Sequence, residues 1–322
     1  MLFASFRPTC YYIYIRLYFN DADEMVPEYI SRLDPDNTGA IDFISCSRYI
    51  TFRDLPKLTG SCRDIGPLAL AAPSKEEIEL LDNMTHRIEA VAEEAANCGV
   101  RLLIDAEQSY MQPAIDNLTV NLQQKYNCKM TQQRPIIFNT YQCYLKDMPE
   151  RMMTDLRRSE QLSYHFAAKL VRGAYMHGER VRAKEMNYSS PIHDTIEDTH
   201  TCFDESVEHI LRHRLEHSSK SEVLLGSHNQ LSIEKAISLM NKLNMNGSDQ
   251  VVHFAQLLGM SDHLTFGLGE QGHRAYKYVP YGKVDEVMPY LLRRAEENMT
   301  LMASSNKEKE MIGREIKRRM LG

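Results

Sequence analysis

The sequence predicts an α/β fold: a parallel sheet with crossover helices, of (β/α)8 barrel type, with a helical segment in front of it. Three observations carry this expectation. From Ser74 onward, short apolar runs alternate with amphipathic stretches, the pattern of strand–crossover helix–strand units. Polar residues follow nearly every apolar run, as at the C-terminal strand ends where such barrels place their sites. Gly60, Gly66, Pro67 and Pro73 punctuate a linker, so residues 1–73 read as an N-terminal segment and 74–322 as the barrel.

Composition narrows the class. The chain has 322 residues, 43% hydrophobic and 25% charged, which suits a large globular core and excludes collagenous, disordered and polytopic membrane proteins. A net charge of −6 offers no basic footprint for nucleic acid. Seven cysteines without a Cys-x-x-Cys suggest neither a zinc ribbon nor a disulfide framework, and fit a reducing compartment.

Residues 1–20 contain Arg7, Arg16, no acid and an aromatic run from Tyr11 to Ile15. The run is too short and interrupted to span a bilayer, which takes about 20 apolar residues. A poor presequence, a strand and a gene-model remnant are all open readings. Next, the string Asp34-Pro-Asp-Asn-Thr-Gly-Ala-Ile-Asp places oxygen ligands at positions 1, 3, 5 and 9 of an EF-hand loop, with Gly39 at the sharp turn. Position 12 wants a bidentate Glu and holds Ser45. An EF-hand-like helix–loop–helix without metal is the expectation.

Ser74-Lys-Glu-Glu77 is a capping box, opening a helix with Ile78, Leu81, Met84, Ile88 and Val91 on one face and Gly99 at its end. Strands are expected near 100–104, 135–139, 168–172, 222–226, 250–254, 263–266 and 275–279, with helices near 113–126, 151–166, 195–216 and 232–244. That is seven strands after Gly99, and a closed barrel wants eight. The residues at the strand ends are Asp105, Glu107, Gln142, Lys169, Arg172, Tyr175, Ser227, His228, Asn229, Gln256 and Tyr278. Any one of them alone suits a helix cap or hydrogen-bond anchor. Their delivery to one rim is harder to attribute to capping.

Seven strings, in order, resemble the proline dehydrogenase family. They are Leu103-Ile-Asp-Ala-Glu-Gln108, Phe138-Asn-Thr-Tyr-Gln-Cys-Tyr-Leu-Lys-Asp147, Lys169-Leu-Val-Arg-Gly-Ala-Tyr175 and Ser227-His-Asn229, followed by Gln256-Leu-Leu-Gly-Met260, Tyr276-Lys-Tyr-Val-Pro-Tyr-Gly282 and Tyr290-Leu-Leu-Arg-Arg-Ala-Glu-Glu-Asn298. The wording is similar to the eukaryotic, mitochondrial branch, whose EF-hand-like insertion residues 21–60 resemble. The resemblance implies a distorted (β/α)8 TIM-type barrel with FAD at its C-terminal rim. It implies oxidation of L-proline to Δ1-pyrroline-5-carboxylate, with a quinone as electron acceptor and peripheral association with the matrix side of the mitochondrial inner membrane. By motif, Arg293 and Arg294 would meet the substrate carboxylate, Tyr278, Tyr290 and Leu257 would wall its ring, and Glu297 would anchor the arginines. Asp105 would shape the pocket beneath the ring nitrogen. Gln142, Lys169, Arg172, Tyr175, Ser227, His228 and Asn229 would hold flavin, ribityl or phosphate groups; bacterial members commonly carry Arg at the position of Lys169.

Elementary chemistry agrees. Consecutive arginines on a helix point about 100° apart, so they can converge on one carboxylate from two sides. Composition alone allows a solvated face paired with Glu296 and Glu297, and the tyrosines could equally be core aromatics. One departure stands out. The family's first strand ends in a Lys-x-Thr-Ala-type motif ahead of the insertion, and nothing before Asp34 reads that way. Lys57-Leu-Thr-Gly60 imitates it, but Pro56 argues against a strand there. The barrel is therefore expected to lack its first strand, unless residues 11–19 fill the gap. Two alternatives stay open beside proline oxidation: a truncated, non-catalytic relative, and a hydroxyproline dehydrogenase. Relatives of the latter kind usually carry serine at Tyr278, so Tyr278 favours proline.

Overall fold

A computed structural model of the chain describes residues 31, 33–34, 43–60, 67–130, 132–217, 220–245, 251–299, 310, 313–314 and 316–320. The chain divides into two compact units, Met1–Glu94 and Ala95–Gly322. Within the first, the described residues include three short helices, α1 (Phe43–Tyr49), α2 (Leu55–Gly60) and α3 (Pro67–Leu70). Most of the EF-hand-like loop that starts at Asp34, residues 35–42, lies outside the described residues. Lys57–Gly60 is helical, in keeping with its reading as a mere imitation of the strand motif. Helix α4 (Lys75–Asn97) starts as its capping box requires: the Ser74 amide donates to Glu77 Oε2 at 2.8 Å, and the Glu77 amide to Ser74 Oγ at 3.2 Å.

The second unit holds one parallel sheet of six strands in sequential order: β1 (Leu102–Ile104), β2 (Ile137–Gln142), β3 (Ala167–Val171), β4 (Glu222–Gly226), β5 (Val252–Leu257) and β6 (Arg274–Tyr278). The connections carry α5 (Gln112–Tyr126), α6 (Met148–Gln161), α7 (Met176–Glu185) and α8 (Ile196–Glu216), then α9 (Gln230–Lys242) and α10 (Asp262–Glu270); α11 (Val284–Met299) follows β6. The sheet curls into a half-barrel.

Spacing explains the core. Met148, Met152 and Leu156 recur every four residues on α6, and Phe203, Val207, Ile210 and Leu211 form one face of α8. They join Ala168, Leu170, Val223, Leu225, Val252 and Phe254 of the strands in one buried cluster. The opposite parity along β3–β6 faces the other side of the sheet; Ala167, Glu222 and His253 there are buried at the strand starts, while Lys169, Val171, Leu257, Tyr276 and Tyr278 are only partly buried or exposed. Side chains from α5 close the start of β2 and β3. The Asn127 amide, just past α5, is fully buried; it donates to Ile137 O and His165 O at 2.8 and 3.1 Å, and its Oδ1 accepts from the Ile136 and Ile137 amides at 2.8 and 2.9 Å.

The expected strand at 263–266 is instead part of α10. Leu264 and Leu268 lie four apart and pack toward the sheet, and a short apolar run alone cannot separate strand from helix. Six strands, not seven, therefore follow Gly99 among the described residues. The helix expected at 151–166 runs three residues earlier and stops at Gln161, because Ser163 turns the chain with a φ of 55°. Helix α7, which no pattern signalled, starts directly after Tyr175.

Candidate active site

At the C-terminal strand ends the side chains form two arcs. In the first, the Lys169 ammonium on β3 pairs with the Asp105 carboxylate just beyond β1. Lys169 is anchored on a strand bonded to β2 and β4, with its aliphatic end 4.0 Å from where a Cβ on Gly226 would lie. Gln142 ends β2, and its amide nitrogen donates to the Glu107 carbonyl at 2.7 Å. Arg172 follows β3 with all three guanidinium nitrogens engaged. Nε donates to His200 Nδ1 at 3.0 Å, Nη1 to Ser227 Oγ at 2.6 Å and Nη2 to Ser232 Oγ at 2.9 Å. The guanidinium also stacks 4.6 Å from the Phe203 ring centroid. Burial lowers its pKa from the ordinary arginine value.

Ser227 Oγ accepts from the Asn229 amide as well, and Asn229 caps α9 by accepting from the Ser232 amide at 3.1 Å. His228 lies 3.1 Å from Ser261 Oγ through Nδ1, while its Nε2 accepts from the Leu257 amide at 3.4 Å. Burial, reinforced by Lys277, lowers its pKa. Tyr175 sits at the N-cap of α7. Between Arg172 and Tyr175, Gly173 has a φ of +121°, and a Cβ there would come within 2.5 Å of the Tyr144 ring, so only glycine fits.

The second arc is Leu257, Tyr278, Tyr290 and Arg294. Leu257 and Tyr278 are register partners at the ends of β5 and β6. The Tyr278 and Tyr290 rings are 5.9 Å apart at 44°, and the Arg294 guanidinium carbon lies 5.4 Å from the Tyr290 centroid. Tyr290 and Arg294 are four residues apart on α11, hence on one face. The side chains of Arg293 and Glu297 lie outside the described residues.

Sequence reasoning named most of this rim but missed His200 and Ser232. Each lies in another helix with no motif around it, and only Arg172 draws them in. The polar set suits a flavin nucleotide: the Lys169 cation, the Gln142 and Asn229 side-chain amides and the His228 imidazole span adjacent strand ends. Such a ligand offers ring carbonyls and nitrogens, a ribityl chain and anionic phosphates. Arg172 is the exception, since its fork is turned into the protein.

Fold and rim together define an α/β chain of barrel type, with a donor-lined arc beside an aromatic wall ending in a guanidinium. A sequence profile for proline dehydrogenase matches residues 20–307. Human "Proline dehydrogenase 1, mitochondrial" is 42% identical over 254 residues, covering 79% of this chain and 41% of that protein. The Drosophila melanogaster protein of the same name is 38% identical over 310 residues, covering 92% and 44%. A Xenopus laevis "Hydroxyproline dehydrogenase" is 38% identical over 247 residues, covering 77% and 52%. Among solved structures, proline utilization A from Bdellovibrio bacteriovorus, inactivated by N-propargylglycine, superposes with a TM-score of 0.60 at 20% identity, over 67% of this chain and 22% of that one. This chain belongs to the proline dehydrogenase family. It spans about half the length, or less, of these curated relatives.

Proposed function

We propose that the chain oxidises L-proline to Δ1-pyrroline-5-carboxylate with FAD as cofactor and a quinone as acceptor, on the matrix side of the mitochondrial inner membrane. The Tyr278–Tyr290–Arg294 wall supports this best: two aromatic faces beside a guanidinium match an apolar ring that bears a carboxylate. In this reading Arg294 and Arg293 grip the carboxylate, Glu297 anchors them, and Tyr278, Tyr290 and Leu257 wall the ring. Asp105 shapes the pocket under the ring nitrogen, its charge balanced by Lys169. Gln142, Lys169, Tyr175, His228 and Asn229 hold flavin, ribityl or phosphate groups. Arg172 acts one step back, fixing Ser227 and the start of α9.

The reaction converts the ring C–N bond to C=N and releases two electrons and two protons. FAD supplies the hydride-accepting chemistry; the protein supplies binding, orientation and charge. The mitochondrial site rests on the names of the relatives. Among the described residues no helix is long and apolar enough to cross a membrane.

A hydroxyproline reading has the Xenopus relative in its favour. Tyr278 weighs against it by filling the space a ring hydroxyl needs. The deciding experiment takes the purified chain, records its visible spectrum, and assays dye reduction with L-proline and with trans-4-hydroxyproline. Flavin bands with reduction driven mainly by proline are expected. Preference for hydroxyproline would transfer the assignment, and absence of both flavin and reduction would overturn it.

A further inference from the structure

At the end of the sheet opposite the rim, α6 and α8 finish beside one another before leading into β3 and β4. Glu160 stands in the last turn of α6. His213 stands in the last turn of α8, and His217 caps that helix. Four residues of spacing put both imidazoles on one helix face, with ring centroids 4.7 Å apart. Glu160 Oε1 is 2.5 Å from His213 Nε2 and 3.0 Å from His217 Nδ1.

Both approaches are at ion-pair distance. Glu160 Oε1 and both His213 nitrogens are buried without a hydrogen-bond partner. His213 is only 8% exposed, so leaving its nitrogens bare is costly. Imidazole nitrogens and a carboxylate oxygen gathered in this way are metal-ligating groups.

We propose that Glu160, His213 and His217 form a divalent transition-metal site, best suited to zinc, that clips the end of α6 to the end of α8. One ligand atom from each residue lies within 4.8 Å of the others. Two imidazoles and one carboxylate are borderline-soft donors that favour zinc over magnesium or calcium. Tetrahedral zinc with bonds of about 2.0–2.1 Å separates its ligand atoms by about 3.3 Å, so Glu160 has to draw back by less than about 1 Å. A fourth position is left for water, reachable because the His217 side chain is 46% exposed. The charge of Lys129 opposes the cation and tempers affinity.

The test uses the full chain after chelator treatment, titrated with Zn²⁺ by calorimetry and with Co²⁺ by visible absorption, with thermal melts alongside. Expected are one Zn²⁺ per chain, a raised melting temperature, and Co²⁺ bands of a low-coordinate nitrogen–oxygen site. His217→Ala and Glu160→Gln, both at partly exposed positions, should each weaken Zn²⁺ at least tenfold while far-UV circular dichroism stays unchanged. Proline-dependent dye reduction should be unaffected. Unchanged affinity and stoichiometry in both variants, or no Zn²⁺ uptake by the parent chain, would overturn the proposal.

Discussion

Along β2, β3 and β4 the rim residues are locked into one another, whereas along β6 and α11 they stand near or in solvent. Every position of β2 is buried, while β6 alternates between exposed and half-buried residues and Tyr278 at its end is 44% exposed. Arg172 alone bonds two serines and a histidine from three different segments. The Tyr290–Arg294 contact is one turn of one helix. On the proposed function, the difference would separate two tasks. A site for a large cofactor gains from fixed geometry, since a rigid framework loses little entropy on binding. A site for a small substrate has to open and close, which suits an element with less burial around it.

The comparison can be broken most severely at Arg172. Arg172→Ala removes three charge-assisted bonds and leaves Ser227, Ser232 and His200 without their donor. About 4 kcal/mol of stability should go, along with most bound flavin, as read by urea melts and the flavin absorption of the purified variant. Arg172→Lys should rescue little, because an ammonium cannot reproduce the fork. A near-neutral Arg172→Ala would mean the first arc is not a fixed frame.

The second arc should behave otherwise. Arg294→Ala is expected to leave stability and flavin content almost untouched while costing about 2–4 kcal/mol in kcat/KM for proline, mainly through KM. Steady-state dye reduction separates the two parameters. A collapse of flavin content in this variant would merge the arcs into one unit.

Tyr278→Ser probes the same wall with a smaller perturbation. It should raise kcat/KM for trans-4-hydroxyproline relative to proline by about tenfold, the scale for reshaping one edge of a pocket. An unmoved ratio would remove Tyr278 from the substrate wall.

The smallest effect is that of pH on the first arc. Burial and the adjacent Arg172 lower the His200 pKa, and burial lowers that of His228. A histidine with a depressed folded pKa contributes stability above its unfolded value of about 6.5, and that contribution is lost as pH falls. Asp155, raised to about 6 by burial, works in the opposite sense: its contribution is present at low pH and lost as pH rises through about 6. Between pH 7.5 and 5.5 the urea midpoint of the parent chain should fall slightly. The His200 share is under about 1 kcal/mol, because that ring is partly exposed. In His200→Gln the slope should be shallower. A midpoint that rises on acidification would show Asp155 to be dominant.

The two arcs also differ in how legible they were. Strand-end residues of the first arc followed from apolar runs broken by polar ones, and the capping box fixed the start of α4 to the residue. What the pattern could not convey is which way a side chain turns. Arg172 reads as a ligand for phosphate, yet its fork points inward, toward helices α8 and α9. Helix α10 reads as a strand because its apolar run, residues 263–266, is short and is followed by Gly267 and Gly269, both weak helix formers. Helix α7 escaped because it is almost wholly polar, with only Glu179 and Ala183 buried.

The fully buried amide of Asn127 carries a consequence for how the chain reaches this fold. Its four partners come from the starts of two strands, and all are in reach only when β2 and β3 lie correctly aligned. A slip of one residue would leave the amide and several backbone groups dry and unpaired, a penalty of several kcal/mol at that spot. Parallel pairing is the slow and error-prone step for chains of this topology. One side chain after α5 thus penalises any misaligned pairing of β2 with β3.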